Sequence, residues 1–170
     1  MWWINGTTVM KNVILSNRAV AAMVSGIEKF PDTENGGILL GIRRKGEIAV
    51  VEAIEAGEAA IHERGKLVCN IKSMEYIANT VKWLYEEELE VIGIWHKHNH
   101  DYIPAFSTED NLCHKKVCDS LKKDIISILF QKNKDDEYIM RVFRYCLKHQ
   151  FIEEEFEVKD LMEMISYRVW

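Results

Sequence analysis

The chain has 170 residues, of which 48% are hydrophobic and 29% are charged. This length and composition are typical of one globular domain, which we expect to span residues 1–170. The formal net charge is −5 and no strongly basic cluster is visible, which argues against nucleic-acid binding as the main activity. No apolar run approaches the roughly 20 residues of a membrane span, and the first residues do not resemble a signal peptide. We therefore expect no membrane association and a cytoplasmic location, where the four cysteines would be thiols.

The first half of the chain alternates between strand and helix patterns. Asn5-Gly6, between two apolar runs, is typical of a two-residue turn in a β-hairpin over residues 2–10. Ser16 is an N-cap candidate for a helix that carries an apolar stripe and ends near Phe30. The following patterns predict strands at 37–42, 48–51 and 66–71, a polar loop at 55–65 and a helix at 73–88.

The second half of the chain predicts one more helix among strands. The expected elements are a buried strand at 89–98, a loop at 99–106, a helix at 107–121, and paired strands at 124–131 and 137–145. The last twenty residues are ambiguous between strand and helix. Strands that alternate with three helices predict an α/β (α+β) fold, with a single mixed β-sheet flanked by about three helices.

The strand predicted at 89–98 ends in two histidines, which are the leading candidates for metal ligands. Successive side chains of a strand point to opposite faces, so one face is expected to carry Ile92, Ile94, His96 and His98. Trp95 and Lys97 would point to the other face, where Trp95 is expected to pack in the core. Two imidazoles on one face can bind a tetrahedral Zn²⁺ at distances of about 2.0–2.1 Å.

A third ligand is expected at the start of the following helix. Ser107 and Asp110 have the spacing of a helix capping box, and Asp110 is also the natural third ligand beside two histidines. The two interpretations are compatible, because the start of a helix would hold both residues close to the histidine strand. Three protein ligands leave the fourth position of a catalytic zinc ion open to water.

Two further histidines are alternative ligands. Pairing His98 with His100 would require the strand to continue through Asn99, whereas the Asn, Asp and Pro residues at 99–104 argue that it has ended. His114 lies one helical turn after Asp110 and could also approach the metal. Both are ranked below the pair of His96 and His98, as groups near the metal or at the surface.

Two separated motifs resemble the JAMM (MPN-plus, JAB) family of zinc metallo-isopeptidases. Gly-Ile-Trp-His-x-His at 93–98, followed by Ser-x-x-Asp at 107–110, resembles the metal-binding motif of that family. Glu34, just before a Gly-rich apolar strand, resembles its second motif, and the resemblance covers roughly residues 12–130. The sequence departs from the pattern at Lys97, where the family usually has Ser. It also has eight residues between the second His and the Ser, where the family usually has seven.

This resemblance implies an MPN/JAB-like fold and a role for each motif residue. It implies that His96, His98 and Asp110 hold the zinc ion. It implies that Glu34 is the acid/base acting on the zinc-activated water, and that Ser107 supports the tetrahedral intermediate. Taken without the resemblance, Glu34 would be interpreted as a solvated turn residue.

The resemblance also implies an activity. The expected reaction is zinc-dependent hydrolysis of the amide bond after the C-terminal tail of a ubiquitin-like protein, either in deconjugation or in precursor processing, as in prokaryotic deubiquitinase-like enzymes. The partners would be that protein or its conjugate, and proteins of a bacterial conjugation or antiphage defence system would be further partners. Two alternatives are a non-catalytic scaffold or interaction module of the same MPN-type fold, and a barrel amidohydrolase. Such barrels typically need about 250 residues, more than the 170 of this chain.

Overall fold

The computed structural model describes residues 12–99 and 105–168, so the hairpin predicted at 2–10 lies outside the described residues. Within this part of the chain the helices are α1 (Asn17–Lys29), α2 (Ile71–Lys82), α3 (Thr108–Leu121) and α4 (Leu161–Met164). The strands are β1 (Asn12–Ser16), β2 (Asn35–Arg44), β3 (Glu47–Glu55), β4 (Ile61–Glu63), β5 (Lys66–Val68), β6 (Glu90–Lys97), β7 (Ile125–Lys132), β8 (Tyr138–Cys146), β9 (Gln150–Glu153) and β10 (Phe156–Lys159). None of these helices is long and apolar enough to cross a membrane.

Eight strands form one mixed sheet in the order β10-β1-β3-β2-β6-β7-β8-β9, and β4 and β5 form a separate two-stranded sheet. Strand β2 is antiparallel to both of its neighbours, β3 and β6, whereas β6 and β7 are parallel. The α/β class with a single large mixed sheet is therefore confirmed. The ambiguous C-terminal residues add strands at both edges of this sheet and the short helix α4.

The core lies on both faces of the sheet, as the alternation along β7 demonstrates. Ile126 and Ile128 pack in a cluster with Met23 of α1 on one face. Ile125 points to the opposite face, where it packs with Cys118 of α3. Helices α2 and α4 contribute to a further cluster on this second face. Burial on both faces explains why β7 is an almost continuous apolar run.

Helix α1 begins where the sequence predicts. The Ser16 hydroxyl accepts a hydrogen bond from the backbone N–H of Ala19 at 2.9 Å, as an N-cap residue does. The same hydroxyl donates to the carbonyl of Val51 at 2.6 Å, so it also fastens the helix start to the sheet. The predicted N-cap and the predicted end near Phe30, which follows the last helical residue, are both confirmed.

The region at 55–71 differs from the sequence prediction. Strand β4 lies inside the predicted loop at 55–65 and pairs with β5 as a short hairpin. The strand predicted at 66–71 ends at Val68, because Asn70 caps the next helix by accepting a hydrogen bond from the N–H of Ser73 at 3.2 Å. Helix α2 therefore begins two residues earlier than predicted.

Helix α2 also ends six residues before the predicted position at 88, at Lys82. The cause is the burial of Tyr85, which is fully enclosed and hydrogen-bonds through its hydroxyl to the carboxylate of Glu52. Tyr85 also forms a β-bridge with Tyr167 near the C-terminus. These tertiary interactions take the chain out of the helix, although its local pattern favours a longer one.

A bulge in β6 changes the predicted alternation of side chains. The pairing of β2 with β6 shifts register between Leu39 and Leu40, which leaves Ile92 as an extra residue. Ile92 therefore packs in the same core cluster as Trp95, and the prediction that it shares the face of His96 was wrong. The bulge lies before the histidines, so the alternation that follows it is undisturbed.

Candidate metal centre

The side chains of His96, His98 and Asp110 converge on one point on the α3 face of the sheet. The Nε2 atoms of the two histidines are 3.0 Å apart. The Asp110 carboxylate oxygens lie 3.6 Å from Nε2 of His96 and 3.2 Å from Nε2 of His98. Ligand atoms about 3.3 Å apart are what a tetrahedral ion with bonds of about 2.0–2.1 Å requires. The three side chains therefore fit the ligand set of one metal ion.

The end of β6 positions the two histidines. His96 is one residue from the end of the strand, and the backbone N–H of His98 still donates to the carbonyl of Phe130 on β7 at 2.9 Å. The chain then bends at Asn99. Pairing of β6 on both sides thus fixes the backbone of the ligand pair, and both imidazoles leave the same face of the sheet.

The start of α3 positions Asp110 through a capping box. The Ser107 backbone N–H donates to Asp110 Oδ2 at 2.7 Å, and the Asp110 backbone N–H donates to Ser107 Oγ at 3.1 Å. The cap therefore orients the carboxylate that faces the histidines. Asp110 can therefore act in the capping box and bind a metal ion in the same conformation.

The electrostatic environment favours the metal-binding protonation states. Burial lowers the pKa of His96 to about 3, against an opposing effect of Asp110. Burial alone would raise the pKa of Asp110, but the hydrogen bond with His98, the charge of His96 and the Ser107 N–H together hold it below its ordinary value. A neutral imidazole and an ionised carboxylate are the forms that bind a metal ion.

The pairing of β2 with β6 brings Glu34 to this cluster. Asn35 lies opposite Lys97 in the antiparallel ladder, so Glu34 precedes the ladder on one strand just as His98 follows it on the other. Burial raises the pKa of the Glu34 carboxyl, and the charges of His98 and Asp110 act on it in opposite directions. The half-buried Glu34 side chain is therefore a neighbour of the candidate ligands, which the sequence alone could not establish.

The side chain of Lys97, between the two histidines in the sequence, is fully buried. Its ammonium group donates to the backbone carbonyls of Phe30 and Pro31, the latter at 3.1 Å. It also lies 5.4 Å from the ring centroid of Tyr138. Lys97 thus connects β6, which we call the ligand strand because it leads to both candidate histidine ligands, to the turn before Glu34. No sequence pattern indicated this role.

His114, the alternative ligand in helix α3, makes hydrogen bonds with both of its ring nitrogens. Its Nδ1 donates to the carbonyl of Asp110 at 2.6 Å, and its Nε2 accepts from the Ser127 hydroxyl at 2.7 Å. Because a carbonyl oxygen only accepts, this pattern fixes the tautomer and uses both ring nitrogens. His114 therefore connects α3 to β7 beneath the site. The other rival, His100, lies outside the described residues.

The fold and the site define an α/β protein with a candidate metal centre at the end of a central strand. No protein-family model and no curated protein matches the chain. Among solved structures, the chain is similar to the solution structure of protein DSY2949 from Desulfitobacterium hafniense. The TM-score is 0.62 at 15% sequence identity, over 87% of this chain and 93% of that chain. At this identity the similarity concerns the fold alone.

Proposed function

We propose that this chain is a zinc-dependent isopeptidase or peptidase of the JAMM type, with an MPN/JAB-like fold. The convergence of His96, His98 and Asp110 beside Glu34 carries the proposal. Two imidazoles and one carboxylate form a typical set of three protein ligands for a catalytic zinc ion, with one position left open. The geometry supports a metal centre. The resemblance of the two sequence motifs to the JAMM family supports amide hydrolysis as the reaction.

A zinc ion bound by the three ligands would activate a water molecule at neutral pH and polarise the carbonyl of a scissile amide. Glu34 would accept the proton of the attacking water and return it to the leaving amine, as a general acid/base does. The neighbouring position of Glu34 and His98 at the ends of two paired strands supports this role.

Ser107 would stabilise the developing oxyanion. Its oxygen accepts the Asp110 N–H within the capping box, and its own hydroxyl hydrogen can be donated to a substrate oxygen. One hydrogen-bond donor of this kind is worth roughly 10²–10³-fold in kcat. The capping geometry supports the proposal, because it ties Ser107 to the same Asp110 that faces the histidines.

The substrate class follows from the sequence resemblance. We expect cleavage after the C-terminal tail of a ubiquitin-like protein, either from a conjugate or from a precursor, in the cytoplasm of a bacterial cell. Proteins of a bacterial conjugation or antiphage defence system are the proposed partners. The acidic net charge of −5 gives no support to a nucleic-acid substrate.

The test combines metal analysis with a cleavage assay. The purified chain is loaded with one equivalent of Zn²⁺ and incubated with isopeptide-linked ubiquitin-like conjugates, and the products are identified by mass spectrometry. We expect cleavage directly after the tail, and a loss of roughly 10²–10⁴-fold in Glu34→Gln at unchanged zinc content. A chain that binds zinc tightly and cleaves none of these amides would instead be a scaffold, and the proposed activity would be wrong.

A further inference from the structure

The backbone of Glu34 is held by the β4–β5 hairpin rather than by the large sheet. Strand β2 begins only at Asn35, so the peptide groups of Glu34 lie outside the ladder with β6. The backbone N–H of Glu34 donates to the carbonyl of Glu63 in β4 at 2.9 Å. On its other side, the carbonyl of Glu34 is 3.1 Å from Nδ1 of His62. Neighbouring residues of one short strand therefore hold both polar groups of the Glu34 backbone.

His62 makes a second interaction with the same segment. Its ring is stacked on the ring of Phe30, with centroids 3.8 Å apart and planes inclined by 10°. Because the carbonyl of Glu34 can only accept, Nδ1 of His62 carries the proton of this hydrogen bond. The ring thus spans the turn from the end of α1 to Glu34, with the stack at one end and the hydrogen bond at the other.

The opposite side of this turn is fixed by the ligand strand. Lys97 donates to the carbonyls of Phe30 and Pro31 and stands between the two histidine ligands in the sequence. The turn is thereby held between β6 and the hairpin. Lys97 secures its beginning, and the hairpin secures the residue that carries the carboxylate.

We propose that His62 is a positioning residue that fixes the Glu34 carboxylate through the Glu34 backbone, an inference that rests on the proposed hydrolase function. The hairpin is only three residues long in each strand, so it contributes little burial of its own. In this proposal, the hairpin holds Glu34 in place through its contacts with the turn. Displacement of a catalytic group by about 1 Å can cost roughly 10²-fold in rate, whereas the metal ligands belong to other elements and would keep their places.

Two substitutions at His62 separate the stack from the hydrogen bond. His62→Phe keeps an aromatic ring on Phe30 but removes the donor to Glu34. His62→Asn removes the ring but places an amide N–H at the position of Nδ1. Lys66→Gln, at an exposed site on the same hairpin, is the control. For the zinc-loaded full chain, kcat, KM and zinc content are measured with a ubiquitin-like conjugate, and hydrogen exchange of the Glu34 amide is followed by NMR.

We expect His62→Phe to lower kcat by roughly 10–100-fold with unchanged zinc content and KM, and to speed exchange of the Glu34 amide. His62→Asn should recover most of kcat. In the Glu34→Gln background, His62→Phe should have no further effect on the rate, because both act through one carboxylate. A His62→Phe variant with unchanged kcat and exchange, or one that loses zinc, would overturn the inference. If the unsubstituted chain cleaves no conjugate, the proposed function fails and the rate effect with it, while the exchange rates still decide whether His62 holds Glu34.

Discussion

Gly36 lies directly opposite His96 in the β2–β6 ladder, in a space that excludes any side chain. A Cβ atom on Gly36 would lie 2.5 Å from the carbonyl oxygen of Trp95 and 3.0 Å from the Cβ of His96. The close approach of β2 to β6 therefore depends on this glycine, and the same approach brings Glu34 to the ligands. The absence of a side chain at Gly36, in the Gly-rich start of β2, therefore has a steric reason beside the candidate metal centre.

Gly36→Ala should consequently weaken zinc binding and lower the stability of the fold. The added methyl group must push the backbone of Trp95 and the candidate ligand His96 away from β2, and such overpacking costs about 1–3 kcal/mol. Zinc affinity by competition with a chelator and unfolding by urea measure the two effects. Gly65→Ala is the matched control, because a Cβ atom there meets no atom within 4 Å. Equal zinc affinity in the two variants would contradict the steric account.

Substitution of single histidines distinguishes the pair of His96 and His98 from the pair of His98 and His100. His96→Ala should lose tight zinc binding and activity together, because only two ligands remain. His100→Ala should keep zinc and change the rate by at most roughly 10–100-fold. Elemental analysis after gel filtration measures the bound metal. Zinc retained in His96→Ala but lost in His100→Ala would mean that the ligand pair has been assigned in the wrong register.

Bound zinc should also stabilise the folded chain, since the three ligand atoms lie together only in the fold. A ligand that binds the native state at 1,000 times its Kd adds about 4.1 kcal/mol to the free energy of unfolding. Removal of zinc by a chelator should therefore lower Tm, and Asp110→Asn, which weakens the site, should reduce that difference. Thermal unfolding with and without the chelator tests this. A Tm independent of zinc in the unsubstituted chain would argue against an occupied site.

Short sequence patterns were enough to predict that His96, His98 and Asp110 lie together. They were not enough to predict which other residues surround this cluster. Alternation at the end of a strand relates His96 to His98, and the capping-box spacing places Asp110 at a helix start, so both relationships span only a few residues. The position of Glu34 depends instead on which strands pair, and pairing between distant segments is not encoded in either segment alone. The same limit explains the early end of α2, which follows from the contact of Tyr85 with Glu52.

The position of His62 could not be predicted from the sequence for a different reason. Residues 55–65 are mostly polar, and β4 within them is three residues long, so its pattern is too short to predict a strand. Strand β5 falls within the strand predicted at 66–71, but the sequence did not show what it pairs with. A single histidine in such a stretch carries no signal of its own. Its packing on Phe30 and its hydrogen bond to Glu34 appear only once the fold has brought the two segments together.

The Ser107 hydroxyl caps α3, and in the proposed reaction it also donates to the oxyanion; substitutions can separate the two roles. Ser107→Thr keeps both the cap and the hydroxyl donor, and should retain activity. Ser107→Gly removes the hydroxyl while costing only a few tenths of a kcal/mol as an N-cap, so kcat should fall by roughly 10²–10³-fold at nearly unchanged stability. Ser107→Ala should lose the same activity and about 1 kcal/mol of stability. Steady-state kinetics and urea unfolding distinguish these cases. A Ser107→Gly variant with full activity would remove the hydroxyl from the reaction.

Lys97 stands where the JAMM motif that the sequence resembles usually has Ser, and the structure gives its side chain a definite role. The buried Lys97 side chain donates from its ammonium group to two carbonyls of the turn that follows α1. Lys97→Met keeps the length of the side chain but leaves the carbonyls of Phe30 and Pro31 without this donor. A hydrogen bond made by a charged donor contributes about 1.5–3 kcal/mol to stability.

Lys97→Met should therefore lower the free energy of unfolding by at least about 1 kcal/mol, measured on the zinc-free chain so that metal binding does not contribute. With zinc present, kcat should fall as well, because the turn that leads to Glu34 loses its anchor on the ligand strand. The exposed Lys134 provides the control, since Lys134→Met should change stability by no more than about 0.5 kcal/mol. If Lys97→Met unfolds at the same urea concentration as the control, the ammonium group does not hold the turn. The position of Glu34 would then depend on the hairpin alone.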